Sequence, residues 1–242
     1  MSAPISLITG ANKGIGLETA RQLGQLGHTV LMGARDASRG EAAAATLRAE
    51  GINAHFIALD VNDEASIRAA AQAVEAEFGH VDALINNAGV NYEAFGTPSA
   101  SPSRETLQKT LDTNLFGLIA VTEAFLPLVK KSPAGRIVNL SSVLGSLALH
   151  ADPKSDIYNF KAPAYDISKA AVNMYTTHLA WELRKTPIKV NAAHPGWVKT
   201  DMGGEEAPME LVDGAKTSVH LATLPDDGPT GGFFHLSSPL PW

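Results

Sequence analysis

The 242-residue chain contains no cysteine, which excludes disulfides and thiolate metal sites and fits a reducing compartment. It also lacks any block of lysine or arginine. Its 19 basic residues are scattered and outnumbered by 25 acidic ones, for a net charge of -6. A chain of that sign has no bulk attraction to nucleic acid or to anionic membrane surfaces. No uninterrupted apolar stretch approaches the roughly 18 residues that suggest a membrane span. The N-terminus carries no basic segment, long apolar core or cleavage site and enters a strand-like run almost at once. The eight histidines show no metal-ligand pairing on a helix, so no metal site is expected. These absences lead us to expect a soluble, cytoplasmic protein with neither nucleic acid nor membrane as a partner.

Short apolar runs at 5–8, 28–33, 54–59, 83–86, 136–140, 189–193 and 232–236 alternate with helical patterns near 15–26, 37–50, 63–78, 101–131, 162–185 and 208–223. Ile15, Ala20, Leu23 and Leu26 form an apolar stripe at helical spacing, and Asp63 is placed to start a helix. This alternation predicts an α/β fold with a seven-stranded parallel sheet and helices on both faces. The length allows one large domain or two small ones. With no repeat, low-complexity tract or linker, a single doubly wound Rossmann domain over 1–242 is expected. Two segments, 146–163 and 199–208, interrupt the rhythm with prolines and glycines. Loops at the carboxyl ends of parallel strands form ligand sites, so these two are expected to roof the pocket.

After the first apolar run comes Thr9-Gly10-Ala11-Asn12-Lys13-Gly14-Ile15-Gly16. Glycines between a strand and an amphipathic helix let the backbone approach a pyrophosphate at the helix N-terminus. The spacing, Gly-x3-Gly-x-Gly, differs from the commoner dinucleotide fingerprint, and an ordinary tight turn would look similar. Far downstream, Tyr165 and Lys169 are four residues apart and share a helix face. The ammonium is expected to favour the phenolate and bring a phenol with a reference pKa of about 10 closer to neutrality. A phosphate-binding turn with a tuned phenol points to redox chemistry on a carbonyl, the phenol supplying the proton. Ser142, just past the run 136–140, can bind the substrate oxygen. Ser141 beside it is chemically equivalent, and Asn114 is poorly placed by propensity inside a helical pattern.

Together these motifs resemble the short-chain dehydrogenase/reductase family over roughly residues 5–236. The glycine turn is similar to that family's cofactor motif, Asn86-Asn87-Ala88-Gly89 to its Asn-Asn-Ala-Gly, and Pro195-Gly196 to the Pro-Gly beside the nicotinamide. Asn114, Ser142, Tyr165 and Lys169 match its catalytic tetrad in order, and the match selects Ser142 over Ser141. The resemblance implies that Asn114 holds a water linking Lys169 to solvent and that Asp60-Val61 meets the adenine. It implies a cofactor site of Gly10, Asn12, Lys13, Gly14, Ile15, Gly16, Arg35, Asp60, Val61, Asn87, Ala88, Gly89, Tyr165, Lys169, Pro195, Gly196, Val198 and Thr200.

Charge argues for NADP(H). Where NAD-using relatives place an acid at the end of the second strand, this chain has Ala34 followed by Arg35, and Lys13 lies inside the glycine turn. Asp36 remains an alternative partner for the ribose of NAD. The segments around Lys13, Arg35 and 194–202 look most like carbonyl reductases. That implies an apolar pocket lined by Val143, Phe95, Tyr158, Phe160, Trp197, Met202 and Met209, each of which could equally be lid or core packing. The expected activity is reduction of a lipophilic ketone or aldehyde. The alternatives are an alcohol or steroid dehydrogenase working oxidatively and a non-catalytic NADP(H) sensor. The 23 positions from Ser142 to Tyr165 exceed those of compact relatives and fall short of animal carbonyl reductases. Oligomeric state is therefore open between homodimer and monomer.

Overall fold

Ile5–Thr9 (β1) directs Ile5 and Leu7 to one side of the sheet and Ile8 to the other. Thr29–Ala34 (β2) and Ala83–Asn86 (β4) repeat the pattern, with Leu31 and Leu84 joining Leu7, and Met32 and Ile85 joining Ile8. Strands buried at every position call for a parallel sheet covered by helices on both faces. The computed structural model, which describes residues 3–100 and 102–242, has that arrangement.

The sheet runs β3-β2-β1-β4-β5-β6-β7-β8, with β3 at Ala54–Ala58, β5 at Arg136–Leu140, β6 at Lys189–His194, β7 at Phe233–His235 and β8 at Ser238–Pro239. The first seven strands are parallel, as expected, but an eighth pairs antiparallel with β7. Leu236, in the left-handed region at φ 54°, lies between the two strands at the reversal, and Pro239 is tolerated because β8 is an edge strand. Two residues carry no periodicity, so this strand could not be read from the sequence.

Helices α3 (Glu64–Phe78), α5 (Leu118–Val129) and α7 (Pro163–Glu182) cover the Leu7 face through Ile67, Val74, Phe125, Leu128 and Leu179. Helices α1 (Gly14–Gln25), α2 (Ala37–Ala49) and α8 (Leu211–Ala222) cover the other through Leu23, Leu47 and Leu221. The expected helix 101–131 resolves into α4 (Arg104–Leu111), a π-helical turn at Asp112–Gly117, and α5; residue 101 itself lies outside the described residues. The run Arg104–Val129 is long and apolar enough to cross a membrane, yet half of its most apolar window is buried inside the fold. Segment 146–163 contains a short helix, α6 (Leu147–Ala151), opened by Ser146, whose hydroxyl accepts from the Leu149 N–H at 3.2 Å. Helix α8 starts later than expected because Met209 is drawn into a parallel bridge with Val198.

Two buried asparagines hold the site-bearing helices to the sheet. Asn86 Nδ2 donates to Thr122 Oγ1 of α5 and to Asn139 Oδ1 of β5, each at 2.9 Å. Asn139 Nδ2 in turn donates to Thr176 Oγ1 of α7 at 2.9 Å. The chain leaves β1 and β4 in opposite directions along the sheet, which gathers the loops after β1, β4, β5 and β6 at one carboxyl edge.

Candidate active site

The turn after β1 needs its glycines for two different reasons. Gly10 and Gly14 adopt φ of 65° and 57°, a region L side chains rarely adopt. At Gly16 a Cβ would lie 2.5 Å from both the Gly10 oxygen and Asn87 Nδ2, so nothing larger fits. Asn87 Nδ2 donates to the Thr9 oxygen at 2.8 Å, and the Asn87 and Ala88 N–H groups both donate to Thr9 Oγ1 at 2.9 Å. The segment after β4 is thereby stapled to the glycine turn. Thr9, quoted in the motif without a role, is the residue that makes the staple. Helix α1 opens on Lys13 with no side-chain cap and no acidic residue in its first turn. Its leading N–H groups are placed to receive an anion, and the residues fit a dinucleotide pyrophosphate.

Beyond the turn lies an open cavity of about 370 Å³ lined by Asn12, Lys13, Leu17, Arg39, Ala42, Ala43 and Thr46. Lys13 pairs with Asp201 at 2.6 Å, but the two side chains are 65% and 81% exposed, so water screens the pair and a phosphate can compete for the lysine. Arg35 is exposed directly after β2 and makes no ion pair among the described residues. Asp36, the residue that could have served NAD, instead caps α2 by accepting the Arg39 N–H at 2.9 Å. Arg39, in the segment around Arg35 that looks like carbonyl reductases but without a cofactor role there, is a further cation lining this cavity. Asp60 accepts the Asn62 N–H at 2.9 Å, and Val61 packs so closely on the π-helical turn that a Cβ at Gly117 would sit 2.6 Å from its oxygen.

At the centre of the edge, Asn114 occupies the π-helical turn, an irregularity frequent at functional sites. Its Oδ1 accepts the Val90 N–H at 2.7 Å, and its Nδ2 donates to the Val90 oxygen at 2.9 Å and to Ser168 Oγ at 3.0 Å. Gly89 lies between Asn114 and Lys169: a Cβ built on it would be 3.4 Å from Asn114 Oδ1 and 3.6 Å from Lys169 Nζ. The two serines separate cleanly. Ser141 Oγ donates to Asn173 Oδ1 at 2.6 Å, a structural bond, whereas Ser142 Oγ accepts the Leu144 N–H at 3.2 Å and is near enough to the Tyr165 phenol to lower its pKa.

The Tyr165 phenol is pushed up to about 12, not down toward neutrality as the four-residue spacing suggests. Burial is the largest cause; the Asp166 charge acts the same way, and the Ser142 hydroxyl opposes them. Lys169 is buried beside it. Its Nζ donates to the Leu140 oxygen at 2.7 Å, lies 5.6 Å from the Tyr165 ring centre, and is itself drawn down to about 8 by burial. In this low-dielectric edge the phenol is held protonated at neutral pH.

A family model described as short chain dehydrogenase matches residues 4–211 of this sequence. The chain belongs to the short-chain dehydrogenase family. It is 35% identical over its full length to carbonyl reductase [NADPH] 1 of Mus musculus, 99% of which is covered. It is also 35% identical to the Homo sapiens protein of that name, with 95% of each chain covered. Among solved structures it is similar to NADPH-bound carbonyl reductase from chicken fatty liver, with a TM-score of 0.86, 29% identity and 100% of both chains covered. Salutaridine reductase from Papaver somniferum superposes with a TM-score of 0.84 at 31% identity, over 96% of this chain and 99% of that one.

In this short-chain dehydrogenase the expected pocket residues fall into two groups. Phe95 and Phe160 stack edge-on at 5.8 Å, with Tyr158 nearby under Lys161, and all three aromatics are substantially exposed. On the segment after β6, Trp197 and Met202 are similarly exposed, and Trp197 Nε1 donates to the Gly203 oxygen at 2.8 Å. Met209 also has a packing contact. Its sulfur packs beneath Gly196, whose φ is 92° and where a Cβ would stand only 2.2 Å from it, so Met209 supports the Pro195-Gly196 turn. Thr200 reaches back over the glycine turn, 3.8 Å from where a Cβ on Gly14 would lie, and Val198 is buried beside it. The larger cavity, of about 450 Å³, lies between α3 and the π-helical turn and is lined by neither Ser142, Tyr165 nor Lys169.

Val143 is fixed by a residue assigned no role in the sequence. Its N–H donates to His194 Nδ1 at 3.3 Å, and burial with the neighbouring His235 drives His194 down to about 3. The folded protein keeps this imidazole neutral while the unfolded chain takes up a proton near the ordinary 6.5. Below pH 6.5 the unfolded state binds more protons, so stability is lost as pH falls from 6.5 toward 3, by up to about 1.4 kcal/mol per pH unit. Urea denaturation across this range is expected to show that loss, and His194→Gln to flatten it.

Proposed function

We propose that this short-chain dehydrogenase is an NADPH-dependent carbonyl reductase, converting a lipophilic ketone or aldehyde to its alcohol with Tyr165 donating the proton. The observation that carries the reading is the gathering at one edge of Lys169, its Nζ 5.6 Å from the Tyr165 ring centre, Ser142 at the turn after β5, and Asn114, bonded to Ser168 on the same helix as Tyr165. Reduction needs a neutral acid there, and oxidation of an alcohol needs the phenolate.

NADPH, when bound, supplies the hydride. The protein's residues do the rest: Gly10 to Gly16 and the start of α1 receive the pyrophosphate, and Lys13, Arg35 and Arg39 surround the place for a 2'-phosphate. Ser142 Oγ holds the substrate oxygen against Tyr165, and its hydrogen bond stabilises charge as it develops. Lys169, anchored on the Leu140 oxygen, places a cation beside the phenol as it loses its proton. Asn114, set by its bonds to Val90 and Ser168, fixes the backbone next to Lys169 for proton resupply. A non-catalytic sensor has no chemical need for this set. Phe95, Tyr158, Phe160, Trp197 and Met202 offer apolar surface with few polar anchors, which suits lipophilic carbonyls. The names of the mammalian relatives support the same activity.

The test is direction against pH. Carbonyl reduction is expected to be fast at pH 7, with alcohol oxidation rising only as the solution becomes strongly alkaline; oxidation that dominates at neutral pH would sink the reductive reading.

The protein is further proposed to form a homodimer through α7. Ile167, Met174 and Trp181 recur every seven residues on that helix and are 49%, 61% and 66% exposed, an apolar stripe that can pack on itself about a two-fold axis. Light scattering is expected to give twice the chain mass, reverting to the chain mass in Met174→Glu.

A further inference from the structure

Helix α7 begins with a deficit. Its N-cap is Ala162, whose side chain has no oxygen, and the first-turn N–H groups of any helix need partners from outside it. Pro163 has no N–H to satisfy. The Ala162 N–H goes to Asp166 Oδ2 at 3.1 Å. The next two donors, Ala164 N–H and Tyr165 N–H, both go to one oxygen from elsewhere in the chain, Glu93 Oε2, at 2.6 and 3.2 Å. The loop after β4, some 71 positions upstream, provides the cap that α7 lacks, and does so with a negative charge at the positive end of the helix.

This carboxylate is itself held. The Glu93 N–H donates to Asn91 Oδ1 at 3.0 Å, and the Gly96 N–H donates to the Lys161 oxygen at 2.8 Å, pinning the loop to the residues just before α7. On the far side, Lys161 Nζ lies 2.7 Å from His150 Nδ1. A lysine only donates, so Nδ1 accepts and the neutral ring carries its proton on Nε2. That N–H donates to the Leu144 oxygen at 3.0 Å, with Asp166 Oδ2 a further 3.5 Å contact. Leu144 belongs to the turn opened by Ser142. A chain of polar contacts thus runs from Glu93 through the start of α7 to the Ser142 turn.

We propose that Glu93 is a positioning residue for the proposed general acid: by capping the backbone of Ala164 and Tyr165 it fixes the point from which the Tyr165 phenol meets Ser142. The inference rests on the carbonyl-reductase reading above. The arrangement is costly for a purely structural device. Among the described residues Glu93 Oε1 and Asp166 Oδ1 are buried without partners, and burial together with the Glu93 charge raises Asp166 to about 6. A serine or aspartate at position 162 would cap the helix with less burden.

Two variants test it. Glu93→Ala removes the acceptor, and Glu93→Gln keeps one carbonyl oxygen in its place. In Glu93→Ala, kcat is expected to fall by about 10- to 100-fold, as for a small misplacement of a reacting group, with NADPH affinity by fluorescence nearly unchanged. Glu93→Gln recovers most of that loss. In the ligand-free protein, the Ala164 and Tyr165 amides should exchange slowly in wild type and Glu93→Gln and rapidly in Glu93→Ala. Wild-type kcat in Glu93→Ala, or unaltered exchange at the two amides, would overturn the proposal. So would a kcat loss matched by an equal loss of NADPH affinity. A wild-type protein with no carbonyl turnover would overturn the reading it rests on, and the exchange comparison would still decide the role of Glu93 in capping α7.

Discussion

Tyr165→Phe lowers kcat for carbonyl reduction by about a thousandfold, within the range of roughly 10²- to 10⁴-fold that a positioned general acid contributes. The substitution removes one oxygen and leaves the ring, so packing against Lys169 and the start of α7 survives. NADPH affinity is expected to stay near wild type, which separates loss of the proton from loss of the site. The Ser142 hydroxyl loses its phenol partner and is left to its capping contact with the Leu144 N–H at 3.2 Å. Single-turnover kinetics with saturating NADPH make the comparison, because they report the chemical step without product release. A loss that appeared mainly in NADPH binding would move Tyr165 from the chemistry to the cofactor site.

The second large effect concerns cofactor choice. Lys13→Ala combined with Arg35→Ala removes two cations from the 2'-phosphate position. Hydrogen bonds to charged groups contribute about 1.5–3 kcal/mol each, so NADPH affinity is expected to fall by roughly 10²- to 10⁴-fold. NADH has no 2'-phosphate, and its affinity is expected to change little. The effect should shrink with added salt, because these side chains stand in water. Asp201→Asn should act in the opposite direction, since it frees Lys13 from its only ion pair among the described residues and removes an anion from beside the phosphate. Fluorescence titration with both cofactors reads all three variants. Equal losses for NADPH and NADH would place the two cations elsewhere than at the phosphate.

Much of this was legible in the sequence because the signals were local. The strands announced themselves as short apolar runs, and β4 and β5 fall on their expected boundaries because every position is buried. Asp63 starts α3 as its type and place suggest, accepting the Ala65 N–H at 2.8 Å. What escaped was long-range. The π-helical turn at Asp112–Gly117 depends on contacts made by Asn114 and Gly117 with distant loops, and a 3.6-residue period does not reveal it. The direction of the Tyr165 shift depends on burial, which outweighs a lysine one turn away and cannot be read from spacing. Glu93 and His194 act on partners 71 and 51 positions distant, so no local pattern marks them. The contact of Met209 with Gly196 could not be read either, because an apolar residue in a loop gives no sign of which surface it covers.

The most direct test is initial rates of NADPH and NADH oxidation against a panel of aromatic ketones, aldehydes, quinones and cyclic enones. Carbonyl-dependent turnover with a strong preference for NADPH, abolished in Tyr165→Phe, is the expected result. Turnover with NADH alone, or carbonyl reduction that survives in Tyr165→Phe, would contradict it.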